Sequence, residues 1–400
     1  VISRIHRLRV VARTSAFVFR NSGIDVRRIA DSLRVANILE GSVQRVGQSV
    51  RVQVRLVDAR DGSTRWSETY DRELKDIFAV QSEIATAVAE QLDLQIGTEG
   101  VVLRQRPPQN LAAYELDLRG SDPALLRSDS GAQVGVQYFR QAIALDPTYA
   151  SAYAGLARMY LRLLIGLRVG TSSRELYTLA ESAARRGVAL DDSSAETHAA
   201  LGEMLMARYD LAGAKRELTR AAAIDPSDSR TRRSLATLDY WIERPADALV
   251  EADRAVENDP LSTSAYVELA RALCANNEST QGLARLARVE AVRPALLRIP
   301  LYTGLCHAMQ QDWTAAVAAM RQSREYRGRG FLGYALARAG ERQQAAVVLT
   351  DLIDHSERTH QGAFEVAVVY AGLGEHDSAF KWLNRSIDER AVAPEILVPR

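Results

Sequence analysis

Apolar residues recur along this chain with two different periods. Between residues 38 and 70 they alternate: Val50, Val52, Val54 and Leu56 fall on one side, Arg51, Gln53 and Arg55 on the other. That period of two predicts a half-buried strand. Ile38–Val46 precedes it across Gly47-Gln48, a tight hairpin turn. Asp61-Gly62 turns the chain into a third strand, Thr64–Tyr70. Leu8–Ala12 reads as a further short buried strand. Val26, Ile29, Ala30 and Leu33 recur at helical spacing behind Asp25, a suitable N-cap. A helix from about Asp76 to Leu94 carries Ile77, Val80, Ile84, Val88 and Leu92 on one face.

Beyond residue 98 the pattern changes. Thr98 to Asn110 contains Gly100, Pro107 and Pro108 and reads as a linker. From residue 111 the spacing is helical and the composition repeats. Asp225-Pro226 and Asp259-Pro260 stand 34 residues apart; the same step reaches Asp191 backwards and Arg293-Pro294 forwards. Units counted from Ala195, Ser229, Thr263 and Leu297 carry Gly202, Ala236, Ala270 and Gly304 at position 8. Position 20 holds Ala214, Ala248, Gly282 and Ala316; position 24 holds Leu218, Ala252, Leu286 and Met320. Small residues at 8 and 20 let two antiparallel helices approach closely, and Asp-Pro ends the second helix.

These residues resemble the tetratricopeptide repeat. Phe139, Ala142 and Asp146-Pro147 close one upstream unit, and Tyr153, Leu156, Ala157 and Tyr160 open another that is longer by some 11 residues around Leu164–Arg174. Leu332, Gly333, Gly340 and Ala345 fit a later unit; Ala367, Tyr370, Gly374, Ala379 and Leu383 fit the last. The resemblance implies a mainly α superhelical solenoid of about eight hairpins, with a concave groove.

Residues Leu39-Glu40-Gly41-Ser42-Val43, Arg51–Asp58, Trp66, Tyr70-Asp71-Arg72, Asp76-Ile77-Phe78, Gln81 and Glu83-Ile84-Ala85 are similar to the TolB-like (FlgO-like) domain. In that family the domain and repeats follow a class III adenylate cyclase, a winged-helix DNA-binding domain or a protein kinase domain. The family's opening strand and most of its first helix have no counterpart; Val1–Ile5 match that helix's tail. The chain starts at Val1 rather than Met, so a piece of a longer protein is expected. The expected organisation is a truncated TolB-like α/β domain over 1–97, a linker over 98–110, the repeat array over 111–390 and a tail over 391–400.

Composition narrows the function. The chain has 400 residues, 47% hydrophobic and 25% charged, which excludes a disordered chain. Lys and Arg number 51 and Asp and Glu 50, a net charge of +1, so no chain-wide field marks a nucleic-acid binder. Residues 1–60 do hold 12 Arg against 4 acidic residues, and 61–100 hold 3 basic against 9 acidic. Phosphate binding by that basic sheet face is the sharper reading; a solvated outer face is the plainer one, because no aromatic residues interleave the arginines. No apolar run reaches a membrane span. The compartment is open, cytoplasmic or, behind a membrane helix, periplasmic. Two cysteines, Cys274 and Cys306, read as small core fillers on neighbouring first helices.

Catalytic motifs reduce to coincidences. Gly328-Arg-Gly330-Phe-Leu-Gly333 spells a dinucleotide fingerprint but follows a helix rather than a strand. Ser378-Ala-Phe-Lys381 lacks its companion elements. His355, Glu357 and His360 have zinc-ligand chemistry but lie in a polar connection. No catalytic, cofactor or metal site is expected, and no cofactor.

The groove remains as the functional candidate. In the repeat family, positions 2, 5, 9, 12 and 13 of the first helix line the concave face. They place Arg158, Arg162, Glu203, Arg230, Arg233, Tyr240, Trp241 and Arg271 there. Arg with aromatic residues suits carboxylate recognition, so the expected partner is a protein or an acidic or C-terminal peptide. The carboxylate-clamp subclass needs Lys and Asn at positions 5 and 9; this chain has Ala154/Arg158, Ala199/Glu203 and Arg233/Thr237. The expected function is therefore a non-catalytic interaction module, with the regulatory tail of a class III adenylate cyclase or winged-helix regulator as the alternative.

Overall fold

A computed structural model describes residues 8–20, 22–73, 77–92, 110–122, 125, 128–165, 173–292, 299–323, 326–359 and 362–388. Strands β1 (Asn37–Val46), β2 (Ser49–Asp58) and β3 (Thr64–Glu73) form an antiparallel sheet in that order. Gly47 takes the left-handed conformation, φ +62°, that the tight β1–β2 turn requires. The alternation along β2 sets the layers. Val50, Val52, Val54 and Leu56 are buried, the valines packing with Tyr70 and with Val80 of the helix Ile77–Gln91. On the opposite face, Arg51 pairs with Asp71 on β3 at 2.7 Å and Arg55 with Glu40 on β1 at 2.6 Å. The basic face is thus a cross-strand ladder of exposed ion pairs, each worth about 0–1 kcal/mol.

Before the sheet come α1 (Arg13–Ala16), a 3-10 turn over Phe17–Phe19, and α2 (Val26–Leu33). The Asp25 carboxylate caps α2 by accepting from the Arg27 N–H at 2.9 Å. The strand expected over Leu8–Ala12 does not form. That backbone runs instead along the helical array, where the Ala12 N–H donates to the Asn258 carbonyl at 2.8 Å. An isolated five-residue apolar run contains no information on a partner 246 residues away.

With the Ile77–Gln91 helix as α3, the helices that follow pack as antiparallel pairs. They are α4 (Leu111–Gly120) with α5 (Asp129–Leu145), α6 (Ala150–Ile165) with α7 (Ser173–Leu190), and α8 (Ala195–Ala207) with α9 (Leu211–Ile224). Next come α10 (Ser229–Trp241) with α11 (Pro245–Asn258), and α12 (Thr263–Ala275) with α13 (Ser279–Val292). The last are α14 (Ile299–Met309) with α15 (Trp313–Met320), α16 (Tyr326–Arg338) with α17 (Arg342–Thr359), and α18 (Ala363–Leu373) with α19 (His376–Asp388). First helices of successive pairs also pack together, α6 on α8, α8 on α10, α10 on α12 and onwards to α18, which makes the array a solenoid. The 98–109 part of the expected linker, most of the Leu164–Arg174 expansion, Val1–Ile5, Arg293-Pro294 and the 391–400 tail lie outside the described residues.

Close approach inside each pair explains the small positions. Ala214, Ala236, Ala270 and Ala316 are fully buried. A Cβ on Gly202 would lie 2.6 Å from Leu218 Cγ, and one on Gly304 2.4 Å from Met320 Cγ. The turn inside each hairpin repeats as well: Tyr209, Glu243, Asn277 and Gln311, each 34 residues from the last, all have φ near +60°. These are not glycines, so hairpin packing holds them in a conformation that costs a free residue roughly 1–2 kcal/mol.

The cysteines correct the expectation of simple core fillers. Cys274 on α12 and Cys306 on α14 form a disulfide, with Cα atoms 5.3 Å apart, that ties two successive first helices together. Both residues are buried.

Two outcomes are expected. Gly155→Ala should destabilise the protein: helix propensity favours Ala by about 1 kcal/mol, but the new Cβ would meet the buried Phe139 ring at 2.2 Å, an overlap costing about 1–3 kcal/mol. A chemical denaturation midpoint at or above that of the parent would contradict this. The 32-residue span closed by Cys274 and Cys306 should make Cys306→Ser less stable by about 2–4 kcal/mol. Non-reducing mass spectrometry should find both thiols resistant to alkylation, even in denaturant, until a reductant is added.

Candidate functional site

The first helices deliver position 9 of successive repeats to one face, and four such residues in a row are polar: Arg158, Glu203, Thr237 and Arg271. They join in two networks. In the first, Arg158 Nε donates to Glu203 Oε2 at 3.1 Å and its Nη1 to Glu196 Oε1 at 3.1 Å. Ser234 Oγ on α10 donates to the other Glu203 oxygen at 3.3 Å. The side chains of Arg158 and Glu203 are only 12% and 18% exposed, so this pair is largely shielded from solvent. Burial works against the Arg158 charge, but Glu203, Glu196 and Asp228 outweigh it and hold its pKa above the ordinary arginine value.

Asp228 and Arg230 complete this cluster. Asp228 is the N-cap of α10 and accepts from the Arg230 and Thr231 N–H groups. Burial would raise its pKa; the Thr231 hydroxyl and the positive charges of Arg158 and Arg230 hold it below the usual carboxylate range. Arg230, next to this N-cap, is exposed. The Arg158 charge above all pushes its pKa below the ordinary value, with Arg233 adding to the push, against the opposing pull of Glu203 and Asp228. The guanidinium stays charged; the direction reports like-charge crowding.

The second network holds Arg271. Its Nη2 donates to Thr237 Oγ1 at 3.0 Å and to Glu268 Oε1, while Thr237 Oγ1 donates to Glu268 Oε1 at 3.1 Å. The guanidinium lies over the Tyr240 ring, 4.7 Å from its centroid. Burial raises the Tyr240 pKa.

The structure therefore brings Arg158, Glu203, Arg230 and Arg233 together and sets Arg271 with Tyr240 in a neighbouring cluster. Arg162, half-buried on α6, belongs to the same helix as Arg158. Trp241 is placed elsewhere: it is buried in the hydrophobic core with Leu205 and Leu238. Consecutive helical residues point about 100° apart, and here Trp241 turns into the core while Tyr240 stays half-buried under Arg271.

One acidic group here was not singled out from sequence. Asp117 on α4 is buried and accepts a 2.8 Å hydrogen bond from the Tyr149 hydroxyl. Burial first, then the Glu196 charge, pushes its pKa up to about 7. Nothing local marks Asp117, because α4 meets Tyr149 and Glu196 only on stacking.

Other candidates resolve as structure. Gly328–Gly333 lies wholly inside α16, without the strand before it that a dinucleotide fingerprint needs; Ser378–Lys381 lies inside α19, in a sequence that lacks the motif's companion elements. His355 and Glu357 lie on α17, while His360 lies outside the described residues. Among the described residues no cluster of three His, Cys, Asp or Glu is arranged to hold a metal, and no helix is long and apolar enough to cross a membrane.

Fold and site together define the class: a tetratricopeptide-type helical-hairpin solenoid preceded by a small α/β sheet unit. No family model matches the sequence. Over 213 residues the chain is 30% identical to "Putative adenylate cyclase 3" of Rhizobium meliloti (strain 1021); the match covers 52% of this chain and 36% of that protein. The chain thus spans about a third of the length of that curated relative. Solved structures of similar shape include YrrB, a TPR protein with an unusual peptide-binding site, at 18% identity over 52% of this chain and 95% of that one, TM-score 0.35. A tetratricopeptide repeat protein of Parabacteroides merdae ATCC 43184 aligns at 10% identity over 68% of this chain and all of its own, TM-score 0.47. Pseudomonas aeruginosa PilF aligns at 19% identity over 56% and 97%, TM-score 0.39.

Asp117 supplies a test of the electrostatics. The unfolded chain releases this proton near 3.8, the ordinary value; the folded protein keeps it until about 7. Folding therefore takes up a proton in that window, and this residue's contribution to stability falls as pH rises through it. Asp117→Asn should match the parent's thermal midpoint near pH 4, at about the unfolded pKa, and exceed it by a few degrees at about pH 8. An unchanged difference between the two pH values would contradict the assignment.

Proposed function

We propose that this chain is a non-catalytic interaction module whose first-helix face binds an acidic segment of a partner protein. The observation that carries the reading is the charge balance around the first network. Glu203 and Glu196 are engaged by Arg158, and Asp228 caps α10, whereas Arg230 stands exposed under the repulsion of Arg158 and Arg233. An incoming carboxylate relieves that repulsion and can take a bidentate guanidinium contact. Arg271 and Tyr240, already locked together, provide a rigid wall beside it rather than the charge that captures the ligand.

A second reading rests on the 30% identity to a protein named as an adenylate cyclase. In that reading the module is the regulatory part of a cyclase, and occupancy of the same face reports to a catalytic domain elsewhere in the parent protein. Cyclic AMP production by the parent gene's product, with and without Arg230→Ala, tests it: equal activity in the presence of a binding peptide would exclude regulation through this face.

Fluorescence anisotropy with a Glu-rich peptide, a Lys-rich peptide and a neutral control tests the main reading. The Glu-rich peptide should bind with an affinity that falls as salt rises. Arg230→Ala with Arg233→Ala should weaken it by about tenfold or more, as loss of charge-assisted contacts implies. Equal binding of all three peptides, or an unaffected double variant, would sink the proposal.

A further inference from the structure

The turn between second and first helices follows one local rule in three places. Asp146 Oδ1 accepts from the Thr148 N–H at 3.0 Å and the Thr148 hydroxyl at 2.7 Å. Asp191 does the same with Ser193 at 3.0 and 2.7 Å, and Asp225 with Ser227 at 3.1 and 2.7 Å. In each, a residue two positions on serves one carboxylate oxygen with both its N–H and its hydroxyl and ties the turn. The fourth turn breaks the rule. Asp259 is followed at that position by Leu261, which has no hydroxyl.

Ser15 fills the gap from 244 residues away. Its Oγ donates to Asp259 Oδ1 and accepts the Leu261 N–H at 2.9 Å. Thr14 Oγ1 donates to the other oxygen, Oδ2, at 2.6 Å. Ser15 is 1% exposed and Asp259 6%. The same segment is held at a second point: Arg9 Nη1 donates to the Glu257 carbonyl at 2.6 Å and Nη2 to the Arg34 carbonyl. Those carbonyls sit at the C-terminal ends of α11 and α2, where a guanidinium is favoured by unpaired acceptors and by the negative end of the helix dipole.

We propose that residues 9–15 are a strap that docks specifically on the Asp259–Leu261 turn, and that Leu261 is what makes this turn its receptor. The strap occupies a hydroxyl position that the other three turns fill for themselves, so it has one binding place among the four described aspartate turns. By joining α2 to α11 through Arg9, it couples the sheet unit to the middle of the solenoid.

Hydrogen exchange of the full chain, read by mass spectrometry on peptides spanning 8–20 and 257–263, tests the proposal. Leu261→Ser gives the turn its own hydroxyl and should evict Ser15, speeding exchange in 8–20 by about tenfold while peptides of α8 and α9 stay protected. Ser15→Ala should free the strap to the same degree. Leu261→Ala, which removes the leucine without adding a hydroxyl, should leave the strap protected. Release by Leu261→Ala as much as by Leu261→Ser would overturn the assignment, because side-chain packing would then hold the strap. So would exchange in 8–20 as fast in the parent as in Ser15→Ala.

Discussion

The array depends on how closely two helix backbones approach inside each hairpin. With side chains no larger than Ala at positions 8 and 20, second-helix residues such as Leu218 and Met320 reach across and fill the space between helices. A close, uniform hairpin presents the same face to the next one, so the stack propagates with a fixed step. Everything on the first-helix face inherits that step. Position 9 of one unit meets position 9 of the next, which is why Arg158 reaches Glu203 and Arg271 reaches Thr237.

Periodicity also separates scaffold from site. His198 bonds Glu217 at 2.6 Å and the Asp192 carbonyl at 2.8 Å. Thirty-four residues on, Arg232 bonds Glu251 at 2.9 Å and the Pro226 carbonyl at 3.3 Å. A polar contact that returns at the repeat length tightens a hairpin wherever it occurs, and His198 is explained by that alone. The cluster around Arg230 has no counterpart one repeat away. Departures from the repeat are where this solenoid differs from any other, and partner choice requires such differences.

The helical hairpins and the sheet were legible because their signals are local. Positions 8 and 20, the Asp25 cap, the Gly47 turn and the alternation along β2 each depend on residues within a turn or two. The rest depends on how units rotate on stacking. Cys274 and Cys306 occupy positions 12 and 10 of their units, and only the crossing of α12 over α14 brings them to bonding distance. The position rule that puts Trp241 in the groove treats neighbours 240 and 241 alike, though the helix turns Trp241 inward. Asp117 and the Leu8–Ala12 segment depend on partners that no local pattern names. Within the face, the residues were legible as types but not in their pairing: Arg271 is spent on Glu268 and Tyr240, and Arg230 is left exposed.

The same logic explains why the sheet unit attaches where it does. A free hydroxyl seeking the Oδ1 position finds it filled from within the turn by Thr148, Ser193 and Ser227 in three of the four aspartate turns. At the fourth, Leu261 leaves one acceptor oxygen and one N–H unserved by the turn itself, and burying either without a partner costs about 1–3 kcal/mol. Ser15 satisfies both with one atom, and Thr14 takes the second carboxylate oxygen. Leucine in place of a hydroxyl residue (Thr148, Ser193 or Ser227 in the other turns) thus selects one docking place among four. The selection is made by an omission in the repeat rather than by an added feature, and a search for conspicuous residues passes over it.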